Sequence, residues 1–145
     1  MKIRIKMLDE RAIKPMRATD GAAGADLYMI SDGDVYISPG ETYLAHTGLS
    51  FEIPDGYVGL VYARSGLAVK QGVAPANKVG VIDSDYRGEV MVALFNQSRE
   101  TRRLENGERI AQIVIAPYLK TEFEYADDLS DTARGENGFG STGTK

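Results

Sequence analysis

Apolar and polar residues alternate along this chain in short runs, interrupted by turn residues about every ten positions. Lys2-Ile3-Arg4-Ile5-Lys6 alternates strictly, the period of a strand with one face buried. Asp34-Val35-Tyr36-Ile37-Ser38 repeats the pattern, and Pro39-Gly40 closes it. Residues 47–53 and 57–63 are strand-like on either side of Pro54-Asp55-Gly56, which predicts a hairpin. Residues 88–96 and 110–116 are apolar, β-branched runs that predict buried strands, and residues 122–125 are a candidate for another. A single stretch predicts helix: Ser65 as N-cap, a short turn from Gly66 to Gln71, and Gly72 to stop it. No repeat or heptad is visible. The rhythm is that of a sandwich or barrel, and the fold class is all-β.

Composition narrows the chemistry. A chain of 145 residues with 43% hydrophobic content predicts one domain with a real core. The absence of cysteine excludes disulfides, thiolate metal sites and a cysteine nucleophile, and a single histidine excludes multi-histidine metal sites. A net charge of −4 argues against a general nucleic-acid or anionic-membrane surface. The longest apolar run, residues 90–95, is far short of the roughly 20 residues a membrane-spanning helix needs. Residues 1–8 lack the apolar stretch of a signal peptide, so a soluble, cytoplasmic protein is expected. Any catalysis then rests on carboxylates, hydroxyls, amides, Arg, Lys or a metal held by oxygen.

Five segments offer such groups. Ala22-Ala23-Gly24-Ala25-Asp26-Leu27-Tyr28 places an acid at the start of a strand; Asp26 is either an exposed turn acid or a group that helps hold a hydrated divalent cation. Arg64-Ser65-Gly66 has two readings, an ordinary helix cap beside a surface arginine or a phosphate seat of guanidinium, hydroxyl and amides. In Gly80-Val81-Ile82-Asp83-Ser84-Asp85-Tyr86-Arg87-Gly88, Asp83 ends an apolar run. It is either a turn aspartate bonding its own backbone or a partly desolvated general base. Gly107-Glu108-Arg109-Ile110-Ala111-Gln112 leads into a strand in which an inward Gln112 would need a partner. Residues 126–145 are acidic and glycine-rich, with Leu129 and Phe139 their only large apolar side chains. That composition fits a disordered tail, or a segment that wraps backbone N–H groups around an anion. His46 has no second ligand nearby in sequence and is assigned to the surface.

Taken together and in order, these segments resemble the five motifs of the trimeric dUTP pyrophosphatase (dUTPase) family. The matching pieces are Ala23-Gly24-Ala25-Asp26-Leu27, Arg64-Ser65-Gly66-Leu67-Ala68, residues 80–88, residues 107–112, and Arg134-Gly135-Glu136-Asn137-Gly138-Phe139-Gly140-Ser141-Thr142-Gly143. The similarity runs from about residue 20 to the C-terminus, with Asn137 standing where the family usually has glycine. It implies a distorted jelly-roll or barrel-like domain over residues 1–125 and a flexible arm, residues 126–145. The arm would close over a site between the subunits of a homotrimer.

The implied reaction is hydrolysis of dUTP to dUMP and pyrophosphate, with Mg²⁺ on the triphosphate. Asp83 is implied to activate the water that attacks the α-phosphorus. Arg64, Ser65 and Gly66 would hold the phosphate chain, and Gln112 would donate to the α-phosphate. Asp26 would reach the metal only indirectly, through water or by holding neighbouring groups. Asn77 and the main chain at Val81, Ile82 and Met91 would match the uracil edge, and Tyr86 would pack under the deoxyribose. Phe139 would stack on the base while Arg134, Gly140, Ser141 and Thr142 close on the γ-phosphate side. The related dCTP deaminases resemble Leu-Glu-x-x-Asn in the strand after this hairpin; here Val92-Ala93-Leu94-Phe95-Asn96 has Ala93 in the glutamate's place. Neither nucleic acid nor membrane is an expected partner.

Overall fold

In a computed structural model, which describes residues 1–136 and residue 138, eleven short strands form antiparallel pairings in four small sheets. Strand β1 (Arg4–Met7) pairs with β5 (Leu49–Glu52), and β3 (Val35–Ile37) with β10 (Arg102–Leu104). A three-stranded sheet runs β4 (Thr42–Ala45), β9 (Val92–Asn96), β7 (Val73–Pro75). The largest sheet runs β2 (Ala25–Tyr28), β11 (Arg109–Pro117), β6 (Tyr57–Ala63), β8 (Val79–Ile82). The all-β class is as expected, and the sheets stay open instead of closing into one barrel among the described residues.

Alternation placed the strands well. Ile3 and Ile5 are half-buried while Lys2, Arg4 and Lys6 are exposed. In β9, Val92, Leu94 and Asn96 are buried, with Ala93 and Phe95 only partly so. The inward faces meet in one core that includes Leu27, Met29, Leu49, Leu94, Leu104 and Ile110, all fully buried. Asn96 sits among them because all its polar atoms are bonded. Its Nδ2 donates to the Ile37 and Glu100 carbonyls, each at 2.8 Å, and its Oδ1 accepts from Ser98 N at 2.9 Å and Oγ at 2.7 Å.

Two expected elements differ. Residues 47–53 and 57–63 are not a hairpin: β5 pairs with β1, whereas β6 enters the large sheet between β11 and β8. The corner at Pro54-Asp55-Gly56 makes the tight turn (Tyr57 N to Pro54 O, 3.1 Å) but carries the chain from one sheet to another. Turn residues report that the chain bends, not which strand it then joins. Residues 122–125 form no strand; Phe123 and Tyr125 are fully exposed, and every described residue from Tyr118 onward is exposed to some degree. The helical turn Gly66–Gln71 is present, and Gly72 ends it in the left-handed region at φ +70°. No helix among the described residues is long and apolar enough to cross a membrane.

Candidate active site

At one end of the large sheet, β11 brings Gln112 opposite Asp26 on β2 and opposite Tyr62 on β6. Directly opposed residues in a sheet share a face. Leu27 and Ala111, the next pair along, are buried in the core, so Asp26 and Gln112 face away from it. A bulge follows: Arg109 pairs with Tyr28 and Ala111 with Leu27, leaving Ile110 as the extra residue. Ile110 and Ala111 are therefore both buried, and Arg109 is turned onto the face of Asp26.

The result is a tight charge cluster. Arg64 Nε donates to Asp26 Oδ1 at 2.7 Å, and Arg109 Nη1 donates to Oδ2 at 3.2 Å. Arg64 Nη1 also reaches the Arg109 carbonyl at 3.3 Å. Asp26 is nearly buried, so each carboxylate oxygen is committed to a guanidinium in a poorly hydrated place. Gln112 Nε2 donates to the Ala63 carbonyl at 2.9 Å and keeps a second N–H. Gly24 makes room for it, since a Cβ there would lie 2.6 Å from Gln112 Oε1. Ser65 and Gly66 are exposed beside this cluster. Ser65 does not cap the helical turn as expected: its own dihedrals are helical (φ −55°, ψ −41°), whereas a capping residue must leave that region to aim its oxygen back.

The second group of candidates lies at the far end of the same sheet. β8 is an edge strand among the described residues, so one side of its backbone is unpaired. Asn77 and Val81 are exposed along it and Ile82 is half-buried; Met91, just before β9 of the three-stranded sheet, is exposed as well. Gly80 packs its bare backbone against Val61 and the Asn77 amide, where a Cβ would come within 3.3 and 3.4 Å. Asp83 and Tyr86 close a tight turn, Tyr86 N to Asp83 O at 3.2 Å. The Tyr86 ring covers Gly88, where a Cβ would lie 2.4 Å from the phenol oxygen, and 42% of the tyrosine remains exposed. Asp83 is exposed too. The partial desolvation expected of a base is thus not supplied by the chain's own packing.

Ile82 pairs with Gly59 and Gln112 with Tyr62, so Asp83, just past the end of β8, stands level with Val58 near one end of β6, and Arg64 lies beyond the other end. Six residues of strand separate the two levels, about 20 Å. One chain therefore carries two half-sites that do not meet: an arginine–carboxamide end and an aspartate–tyrosine end. Among the described residues no group of three or more acidic or histidine side chains is placed to hold a metal ion. Arg134 lies in the exposed C-terminal segment, within a turn over residues 132–135 in which Gly135 N donates to Thr132 O and Oγ1, both at 3.1 Å. Phe139, Gly140, Ser141 and Thr142 lie outside the described residues.

Some residues at the site had no role in the sequence reading. Arg109 was one, because nothing in a linear pattern reveals the bulge that redirects it. Glu89 and His46 were others; 43 residues apart, they meet at 2.9 Å, so His46 is a paired residue on the surface.

Similarity to known proteins agrees with this geometry. The family model described as dUTPase matches residues 10–143. A deoxyuridine 5'-triphosphate nucleotidohydrolase of Hydrogenobaculum sp. is 50% identical over 145 residues, covering all of both chains. One of Nautilia profundicola is 51% identical over 143 residues, 99% of each chain. Among solved structures, the Staphylococcus bacteriophage 80alpha dUTPase with dUPNHPP superposes with a TM-score of 0.88 at 30% identity, over 99% of each chain.

Proposed function

The chain belongs to the dUTPase family and is a nucleotide hydrolase, and we propose that it cleaves dUTP to dUMP and pyrophosphate at a site shared between subunits of a homotrimer. The observation that most supports a shared site is the separation of about 20 Å between the Asp83 and Arg64 ends of one chain. A general base must lie within hydrogen-bond reach of the proton it takes, directly or through one water. Asp83 of one copy facing Arg64, Ser65, Gly66 and Gln112 of another meets that need, and burial between copies would desolvate the exposed aspartate.

Asp83 takes a proton from water while the water oxygen bonds to the α-phosphorus. The α–β bridging oxygen leaves with pyrophosphate. Gln112, with its second N–H, donates to the α-phosphate as negative charge builds there. Arg64 is pre-aimed by Asp26, so it meets the triphosphate without a search among rotamers. Mg²⁺ would arrive with the substrate: with both Asp26 oxygens bound to arginines, Asp26 would reach such an ion only indirectly, and the ion would supply charge neutralisation on the triphosphate.

The open edge of β8, with Asn77 and the main chain at Val81, Ile82 and Met91, presents donors and acceptors to the uracil edge. Cytosine would leave buried polar groups unpaired. Tyr86 lies under the deoxyribose and excludes a 2′-hydroxyl. Residues 1–125 form the barrel-like domain and residues 126–145 the arm. As the arm closes, Phe139 stacks on the base and Arg134, Gly140, Ser141 and Thr142 meet the phosphates. In the cytoplasm this activity keeps uracil out of DNA and supplies dUMP for thymidylate synthesis.

Pyrophosphate release with Mg²⁺ from dUTP, dTTP, dCTP and UTP tests the reading, and activity confined to dUTP is expected. Ammonia release from dCTP would overturn it. Asp83→Asn keeps dUTP binding and loses roughly 10²–10⁴-fold in kcat; near-normal turnover would remove Asp83 from the role of base.

A further inference from the structure

Just beyond the Asp83–Tyr86 turn, Glu89 joins the turn to residues 46–49. Its Oε1 accepts from the Gly48 N–H at 2.7 Å. Its Oε2 lies 2.9 Å from His46 Nδ1, which must carry the hydrogen because an ionised carboxylate only accepts. The backbone carbonyl of the same residue accepts the Tyr86 hydroxyl at 2.9 Å. Val90 continues the attachment, its N–H donating to Leu49 O at 2.8 Å and its carbonyl accepting from buried Thr47 Oγ1 at 2.6 Å.

The anchor itself cannot shift easily. Gly48 holds φ at +66°, and a Cβ there would lie 2.8 Å from Ile30 and 2.9 Å from Ala12, so the backbone that receives Glu89 is wedged in place. Burial raises the Glu89 pKa, but the bonds from His46 and the Gly48 N–H outweigh it, and the carboxyl titrates below its ordinary value. The other charged groups lining the same cavity of about 390 Å³ are Asp9, Arg11 and Asp32. Arg11 binds both acids, at 2.7 and 2.6 Å, so His46 is left as the side-chain partner of Glu89.

We propose that Glu89 is a positioning residue for sugar discrimination: held by His46 and Gly48, it fixes the carbonyl from which the Tyr86 phenol hangs. This rests on the reading of Tyr86 as the floor beneath the deoxyribose. A ring held by its hydroxyl at one point and by Gly88 beneath cannot tilt away to admit a 2′-hydroxyl. Releasing the Glu89 side chain loosens that point without touching substrate.

Steady-state kinetics on dUTP and UTP test it, with Glu89→Ala, Glu89→Gln, His46→Ala and Tyr86→Ala compared with the unaltered chain. Glu89→Ala lowers the ratio of kcat/KM for dUTP over UTP about tenfold, chiefly through a lower KM for UTP as the loosened ring admits the 2′-hydroxyl. Glu89→Gln restores most of it, because its carboxamide oxygen still accepts the Gly48 N–H and its amide can donate to the other His46 tautomer. His46→Ala, losing one of the two bonds, gives roughly a threefold fall. A Glu89→Ala enzyme with lower thermal stability but an unchanged ratio would show a merely structural role and overturn the proposal. If Glu89→Ala does not fold, His46→Ala carries the same decision: a fallen ratio supports, an unchanged one refutes. Tyr86→Ala separates the two levels, since an intact ratio there sinks the reading of Tyr86 itself.

Discussion

Replacing Gly24 by alanine tests how the Arg64 end of the site is built. The added methyl would lie 2.6 Å from Gln112 Oε1 and 3.3 Å from its Cβ and Cδ. The first contact is well inside van der Waals distance, so the carboxamide must rotate away, and its 2.9 Å bond to the Ala63 carbonyl goes with it. Losing one partly buried hydrogen bond costs about 1 kcal/mol. For a chain of this size that lowers Tm by roughly 2–4 °C. On the proposed role of Gln112 as a donor to the α-phosphate the effect on turnover is larger, because such a donor contributes most where charge develops; a fall in kcat of roughly 10–100-fold is expected. Pyrophosphate release measures it, with Gln112→Ala as the companion. In the double variant the methyl meets only a truncated side chain, so Gly24→Ala should add almost nothing to Gln112→Ala. Full additivity of the two losses, or a Gly24→Ala enzyme with normal kcat, would refute the claim that this glycine exists to seat Gln112.

Asn96→Ala removes four bonds from a fully buried position and strands the Ile37 carbonyl; a loss of about 2–4 kcal/mol in urea unfolding at fixed protein concentration is expected. In acid, Asp9 is pulled down to about 2 by its bonds to Arg11, and Glu89 also titrates low. Both acids bind protons more readily unfolded than folded, so Tm should hold above pH of about 5 and fall as pH drops through 4 toward 2, with Asp9→Asn flattening part of the slope. Deleting residues 134–145 leaves the packed strands, which end at Pro117, and so should spare Tm while crippling turnover on dUTP; full activity of the shortened chain would show the arm to be dispensable.

Seating an anionic substrate on a chain of net charge −4, as proposed above, needs local arrangement, not overall composition. Asp26 shows how: it pairs with two arginines and fixes the Arg64 guanidinium through Nε at 2.7 Å, so the cation is held in place. Neighbouring backbone follows the same logic, with Gly24 yielding space to a side chain that must not move.

Much of this was legible in the linear order of residues. Period-two alternation marked β1 and β3, because a half-buried strand must alternate whatever it pairs with, and apolar β-branched runs marked β9 and β11. The chemical types were legible as well, since a chain without cysteine and with one histidine has only carboxylates, amides, hydroxyls and cations to work with. The five motifs in order carried the family. What the sequence could not decide was pairing, because strand partners are chosen by contacts far apart in the chain. Residues 47–53 and 57–63 therefore part company at a turn that looks like a hairpin, and Arg109 reaches Asp26 only through a bulge at Ile110. Pairing also set the two ends of β6 about 20 Å apart, a distance that lies in the sheet register and in no motif. The motifs name the candidate groups; the register decides that a single chain holds them apart.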